Sequence, residues 1–173
     1  MESDRIAFRT WRIQDIEFAK QLWGDIEVTR YIGGPFTDRQ IEERLEKEIE
    51  NQKKFKVQYW PLFLKENNSF IGCCGLRPYK DDTINKEMGF HFRKEYWGIG
   101  LAFEAANRTL QYAFEELELV KVFAGHNPKN TRSKYLLLKL GFRYIRDEYY
   151  EPTGLDHPLY EMSYEDYKNM KGK

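Results

Sequence analysis

The 173-residue sequence predicts a single domain of the mixed α/β class, with helices packed on a central sheet. Short apolar and aromatic runs typical of strands follow one another in the middle of the chain. Towards the end, helical segments alternate with strands. Twelve Phe, twelve Tyr and four Trp supply the apolar volume of a core, so we expect residues 1–173 to fold as one unit.

The first third of the chain predicts one strand and two helices. The strand is RIAFRTW, in which apolar and polar residues alternate, and the first helix is expected from Gln14 to Trp23. The second helix follows the Gly-Gly-Pro break at residues 33–35. Thr37 is its expected N-cap, and apolar residues recur at every fourth position after it: Ile41, Leu45 and Ile49.

The rest of the chain predicts six further strands and two helices. An antiparallel meander is expected in YWPLFLK, SFIGCCGLRPY and NKEMGFHF, which are separated by Asn-Asn and Asp-Asp turn signals. A helix is expected from about Gly100 to Glu116. Next come a strand in VKVFAGHN, a helix in NTRSKYLLLKLG and two closing strands in FRYIRDEYYE and HPLYEMS.

Charge and composition disfavour several classes of function. Lys plus Arg and Asp plus Glu number 28 each, so the formal net charge is zero and no nucleic-acid partner is expected. No apolar run reaches membrane-spanning length and no secretory pattern opens the chain, so we expect a cytoplasmic protein without a membrane partner. Cys73 and Cys74 are neighbours in a strand and point to opposite faces, which predicts buried thiols rather than a disulfide. Zinc-type spacing is missing, and no metal is expected.

The stretch EYWGIGLAFEAANRTL places Gly98 and Gly100 where a helix begins. The first N–H groups of a helix have no partner within it, and the helix dipole favours an anion such as pyrophosphate there. Glycines at this rim let a ligand approach the backbone. The alternative is an ordinary loop-to-helix turn. The third glycine of a dinucleotide fingerprint and the lysine of a P-loop are both missing.

Three segments resemble the GNAT N-acetyltransferases, and specifically their RimJ/RimL-type branch. EYWGIGLAFEA resembles the acyl-CoA-binding loop, with Trp97 where the wider superfamily has Gln or Arg. EMGFHF resembles the fourth strand. NPKNTRSKYLLLKLGF resembles the Asn-x-x-Ser…Lys-x-Gly-Phe segment, and the likeness extends over nearly the whole chain.

The resemblance implies a GNAT-like fold that binds acetyl-CoA. Its single sheet is mixed, mainly antiparallel and seven-stranded, with helices on both faces and a V-shaped split between strands four and five. The pantetheine arm is expected along strand four and the pyrophosphate at the helix after the loop. The expected cofactor contacts are His91, Phe92, Arg93, Trp97, Gly98, Ile99, Gly100, Leu101, Ala102, Asn130 and Ser133.

The same resemblance implies two catalytic residues. Glu87, on the fourth strand, is the candidate base, alone or through a water; the alternative is a surface carboxylate. His91 lies four residues further on the same strand face. Ser133 is the candidate donor to the sulfur, or an ordinary first-turn serine. Leu137 occupies the position where many relatives have a Tyr acid, and Tyr135 points elsewhere on that helix.

The predicted function is direct acetyl transfer from acetyl-CoA to an amine, with neither cysteine as nucleophile. The acceptor is a protein N-terminal amine, of the ribosomal-protein type, or a small amine. Family members are monomers or homodimers. The alternative function is a CoA-binding sensor or scaffold with little catalysis. Five aromatic residues belong to the acceptor pocket or to the core: Trp11, Trp23, Tyr31, Trp60 and Tyr149.

Overall fold

A computed structural model shows a single seven-stranded sheet. It describes residues 1–80 and 82–172, with the main chain alone described at residues 82 and 83. In chain order the strands are β1 (Ile6–Phe8), β2 (Tyr59–Leu64), β3 (Phe70–Tyr79), β4 (Asp82–Phe92), β5 (Lys121–Gly125), β6 (Arg143–Tyr150) and β7 (Leu155–Ser163). Side by side they run β1-β2-β3-β4-β5-β7-β6.

The sheet is antiparallel except at its centre. Only β4 and β5 run parallel, and their pairing is limited to Lys86 opposite Val122 and Glu87 opposite Phe123. Beyond Glu87, β4 continues to Phe92 with β3 as its partner, while β5 continues beside β7. The two strands therefore separate, and the expected mixed sheet with a V-shaped split between strands four and five is confirmed.

Helices cover both faces of the sheet. The helices are α1 (Ile16–Trp23), α2 (Ile26–Thr29), α3 (Asp38–Phe55), α4 (Leu101–Gln111), α5 (Thr131–Lys139) and α6 (Tyr164–Lys171). One buried cluster joins α1 and α3 to the sheet, and a second joins α4, α5 and α6 to the opposite face. We call these the α1/α3 face and the α4/α5 face.

The element predictions are confirmed with three differences. Thr37 caps α3 as expected, accepting a hydrogen bond from the Gln40 N–H at 3.3 Å. The helix expected to reach Glu116 ends as a π-helical turn over Tyr112–Glu116. The short α2 and the C-terminal α6 are additional. The signal for α6 lay in Ser163, whose side chain and that of Asp166 form a capping box.

The burial of the predicted core agrees with the amphipathic patterns. Cys73 and Cys74 are free buried thiols, and burial raises the pKa of Cys74 to about 12. Trp11, Trp23 and Trp60 belong to the core, whereas Tyr149 is exposed. Among the helices of residues 1–80 and 82–172, none is long and apolar enough to cross a membrane.

Candidate functional site

The open edge of β4 begins where β5 departs. The Arg93 N–H donates to the Ile71 carbonyl of β3 at 3.0 Å, so by antiparallel alternation His91 also directs its main chain towards β3. Phe90 and Phe92, which alternate with these two residues along β4, direct their main-chain N–H and C=O groups away from β3. The Phe92 carbonyl already accepts the Trp97 indole N–H at 2.7 Å. The main-chain N–H and C=O of Phe90 are therefore the pair presented to the split.

The start of α4 has the geometry of an anion site. Gly98 and Gly100 adopt left-handed φ angles of 79° and 85°, which side chains rarely tolerate. Gly100 is the N-cap and offers no side chain to the helix, whose first main-chain bond runs from the Glu104 N–H to Gly100. Among the described residues nothing accepts from the N–H groups of residues 101–103. Five of the predicted cofactor contacts thus form one continuous rim at this helix start: Gly98, Ile99, Gly100, Leu101 and Ala102.

The glycines of this rim serve conformation as well as access. A Cβ added at Gly98 would meet open space, and one at Gly100 would meet only an Arg5 nitrogen at 3.5 Å. Steric crowding within the protein therefore does not require a glycine at either position. The left-handed φ angles require it, because other residues rarely adopt them. Nearby, the Ile99 carbonyl accepts from Arg5 at 3.1 Å, and Arg5 also binds Glu104, which fixes the loop to the N-terminal segment.

The start of α5 lies beside the same loop. The Arg132 guanidinium carbon is 5.1 Å from the Trp97 ring centroid. Asn130 caps α5 by accepting from the Ser133 N–H at 3.2 Å, while the Ser133 hydroxyl makes no hydrogen bond to any residue the structure describes. Leu137 is buried in the core at 1% exposure and Tyr135 is 71% exposed, so neither takes part in this site.

Glu87 projects from β4 on the α1/α3 face, together with His91. The expectation that both share one face is confirmed, since β4 alternates and Cys73, opposite His91, packs in the α1/α3 cluster. The Glu87 carboxylate makes no hydrogen bond to the described residues. Burial raises its pKa above the ordinary 4.5; Arg77 and Lys80 oppose this shift, and Glu148 adds to it. A half-buried carboxylate with a raised pKa is suited to take a proton.

Glu48 of α3 explains why Glu87 has no ion-pair partner among the described residues. Arg77 stands opposite Glu87 in the β3–β4 register, yet its guanidinium binds Glu48, with Nε donating at 2.8 Å. The other Glu48 oxygen accepts from the Tyr59 N–H at 2.8 Å, and Glu48 is fully buried. Burial opposes the charge of Arg77, but the attraction of Glu48, with Tyr59 and Cys73 acting in the same direction, outweighs burial and raises the Arg77 pKa. No sequence motif indicates Glu48, Arg77 or Tyr59 as residues of the site. Their part in it is evident only from their contacts in the structure.

His91 is held as a neutral imidazole. The Trp23 indole N–H donates to its Nδ1 at 3.3 Å, which leaves Nε2 to carry the proton. Burial, with Arg44 and Arg77 adding to it, lowers the His91 pKa well below 6.5. Its side chain lies on the α1/α3 face, away from the α4 rim that holds most of the predicted cofactor contacts. Arg93 likewise directs its guanidinium to the Phe70 carbonyl, at 3.0 Å, and to Glu95.

The α1/α3 side of the split is bridged by the loop between α2 and α3. The Tyr31 carbonyl accepts from the Asn127 side chain, just beyond β5, at 3.2 Å. Gly33 lies so close to the β6–β7 turn that an added Cβ would be 2.8 Å from the Pro152 carbonyl oxygen. The predicted residues therefore fall into two groups, with Glu87 and His91 on this face and the α4 rim, Asn130 and Ser133 on the other. The split connects them.

Comparison with known proteins gives a consistent family. Residues 5–143 match the family model described as the acetyltransferase (GNAT) domain. The uncharacterized N-acetyltransferase p20 of Bacillus licheniformis is 29% identical over 143 residues, covering 82% of this chain and 80% of the relative.

Solved structures of the same class share the fold. A GNAT-family acetyltransferase from Bacillus anthracis superposes with a TM-score of 0.81 at 26% identity, covering 95% of this chain and 98% of the other. RimL, a ribosomal L7/L12 alpha-N-protein acetyltransferase in complex with coenzyme A, gives a TM-score of 0.79 at 11% identity, covering 93% and 95%. At that identity the likeness concerns the fold alone.

The buried Glu48 contact leads to a stability prediction. Glu48→Ala leaves the Arg77 guanidinium and the Tyr59 N–H without their acceptor, so we expect the free energy of unfolding to fall by about 3–5 kcal/mol. Urea denaturation measures this. Glu46→Ala, at an exposed position of the same helix, is the control and should change stability by less than about 0.5 kcal/mol. Equal effects of the two changes would contradict the structural role of Glu48.

Proposed function

The chain belongs to the GNAT acetyltransferase family and is thus an acyltransferase, and from this premise we propose that it transfers the acetyl group of acetyl-CoA directly to a primary amine. The observation that carries the proposal is the arrangement around the β4–β5 split. An uncapped helix start lies on one face, a carboxylate with a raised pKa lies on the other, and the opening between the strands joins them.

The residues at the α4/α5 face fit acetyl-CoA. The free N–H groups after Gly100, at the positive end of α4, would hold the pyrophosphate. The Phe90 main chain would pair with the extended pantetheine arm in the manner of an added strand. The main-chain contact with the pantetheine arm is therefore proposed at Phe90 and not at His91 and Arg93, whose main chains face β3. Acetyl-CoA supplies the activated acyl group of the reaction.

Two side chains would move protons. Glu87 would accept a proton from the acceptor ammonium, directly or through a water, because its carboxylate is free and its pKa is raised. The Ser133 hydroxyl, free of other partners, would donate to the departing sulfur. Cys73 is buried among aromatic residues and burial raises its pKa, so a thiolate nucleophile there is not part of the mechanism.

We assign the chain to the RimJ/RimL-type branch, on the strength of Trp97 and the segment around Asn130. The acceptor is then a protein N-terminal amine or a small amine. The alternative, a CoA-binding scaffold with little catalysis, would need Glu87 to be an ordinary surface carboxylate. The half-buried position and the lack of an ion-pair partner both argue against that.

The test of the proposal is thiol release from acetyl-CoA with panels of peptides and small amines. Wild type should turn over at least one acceptor, and Glu87→Gln should reduce kcat/KM by about 100-fold or more. Ser133→Ala is expected to act mainly on kcat. Glu66→Gln, an exposed carboxylate outside the site, is the control. Tight CoA binding without turnover of any acceptor would reject the enzyme in favour of the scaffold.

The pH dependence provides a separate prediction. Glu87 acts as a base only when ionised, and its pKa lies above the ordinary 4.5, so kcat/KM should rise with pH through this raised value. Glu87→Gln should lose this limb and keep the limb that belongs to the acceptor amine. Profiles of both proteins with the same acceptor isolate the difference. Identical acid limbs would assign the titration to the amine alone.

The anion site yields a prediction on Gly100. Gly100→Glu places a carboxylate at the rim of the helix start, and we expect it to abolish measurable CoA binding in calorimetry. Gly100→Ala is the matched control, because it carries the same backbone strain at φ 85° without the charge. It should remain folded and bind CoA more weakly than wild type. Unchanged affinity in a folded Gly100→Glu protein would refute the site.

A further inference from the structure

Arg44 is a charged side chain on the α1/α3 face that no described carboxylate neutralises. Its guanidinium carbon lies 4.7 Å from the Trp23 ring centroid and 5.6 Å from that of Phe36. Its Nε is buried without a hydrogen-bond partner. Within residues 1–80 and 84–172, no carboxylate lies within ion-pair distance of it. Buried charges in proteins are normally paired, and the two ring contacts leave the N–H donors of this arginine without an acceptor in the described part of the chain.

The neighbouring carboxylate is already occupied. Glu48 lies four residues further along α3, but one of its oxygens binds Arg77 and the other accepts from the Tyr59 N–H. Burial, reinforced by Arg77, lowers the Arg44 pKa to about 10, with Glu48 opposing. Arg44 therefore stays protonated at neutral pH, and one full positive charge remains available.

The positive charge of Arg44 lies on the same side of the split as Glu87. The two terminal nitrogens of Arg44 make no hydrogen bond to the described residues and are not enclosed, in contrast to Nε. The Tyr150 hydroxyl, whose pKa is raised mainly by burial, feels the charges of both Arg44 and Glu87. The α1/α3 side of the split thus holds a fixed cation and a carboxylate base, both of which act on one tyrosine.

We propose that Arg44 binds an oxyanion on the acceptor, so that the acceptor is a small primary amine that carries a carboxylate or phosphate group. This inference rests on the proposed acetyl transfer to an amine, and it names the acceptor class. Such an amine is a zwitterion, and its two charges match Glu87 and Arg44. A guanidinium presents a planar fork of N–H donors that suits carboxylate and phosphate oxygens.

The closed side of the cleft favours a small acceptor over a peptide. The α2–α3 loop reaches the end of β5 through Tyr31 and Asn127, and it contacts the β6–β7 turn at Gly33 and Pro152. These contacts bridge the split on the face where Arg44 and Glu87 lie. A long peptide would have to displace them, whereas a molecule of amino-acid size would not.

The binding experiment uses CoA-loaded protein, so that no turnover is needed. The probes are free L-amino acids and O-phosphoethanolamine, each paired with its neutral counterpart, the methyl ester or ethanolamine. Calorimetry should show at least one anionic probe that binds about 10- to 100-fold more tightly than its counterpart, the range of a charge-assisted hydrogen bond. The carboxylate and phosphate arms separate the two sources of the oxyanion.

Two variants of Arg44 distinguish recognition from packing. Arg44→Met keeps an apolar side chain against Trp23 but removes the charge, and it should abolish the preference for the anionic probe without lowering the melting temperature. Arg44→Lys should retain part of the preference, because the charge remains while the planar fork is lost. Arg39→Met, exposed on the same helix and paired with Glu43, is the control and should behave as wild type.

The outcomes separate this inference from the proposed function. Turnover of neutral amines or peptides with no preference for any anionic probe would overturn the role of Arg44 and leave the acetyltransferase standing. An Arg44-dependent preference in binding, without thiol release from any acceptor, would support the anion site and reject the enzyme. A large fall in melting temperature for Arg44→Met with unchanged selectivity would make Arg44 a structural residue and overturn the inference.

Discussion

The buried contact between Glu48 and Arg77 organises the α1/α3 side of the molecule. One carboxylate oxygen binds the Arg77 guanidinium and the other holds the first N–H of β2, so helix α3 is docked on two strands at once. The pair also decides the chemistry beside it. Arg77 stands opposite Glu87 in register, and if it turned to Glu87 the base would be an ion pair with a lowered pKa. Because Glu48 holds Arg77, Glu87 keeps a free carboxylate.

The same contact leaves Arg44 without a counter-ion in the part of the chain that the structure describes, and this has a physical meaning for function. A buried Nε without a hydrogen-bond partner opposes folding, and charged groups perturbed in this way cluster at functional sites. With one Glu48 oxygen bound to Arg77 and the other to the Tyr59 N–H, two charges stay open among the described residues, an acidic one on β4 and a basic one on α3. A zwitterionic acceptor complements that pattern.

The split in the sheet is what joins the two faces. A continuous sheet would separate the α4 rim from Glu87 by a layer of hydrogen-bonded main chain. Since β4 and β5 pair only at Lys86 and Glu87, the main chain of Phe90, three residues beyond Glu87, is left open to the split, and the split connects the two faces there. Trp97 closes the end of β4 by donating its indole N–H to the Phe92 carbonyl.

The sequence by itself determined the seven strands, the main helices, the uncapped start of α4 and the buried thiols, because hydrophobic period, capping residues and glycine position are local properties of the chain. The likeness of its motifs to a family also indicates Glu87 and Ser133 as candidate catalytic residues. The short α2 and the π-helical end of α4 were missed, since neither has a distinct local pattern. Only the tertiary structure decided which carboxylates are free, which arginine is paired and which main-chain groups face the split. Those properties depend on Glu48 of α3 meeting Arg77 of β3 and Tyr59 of β2, and contacts between residues distant in the chain leave no periodic signal in it.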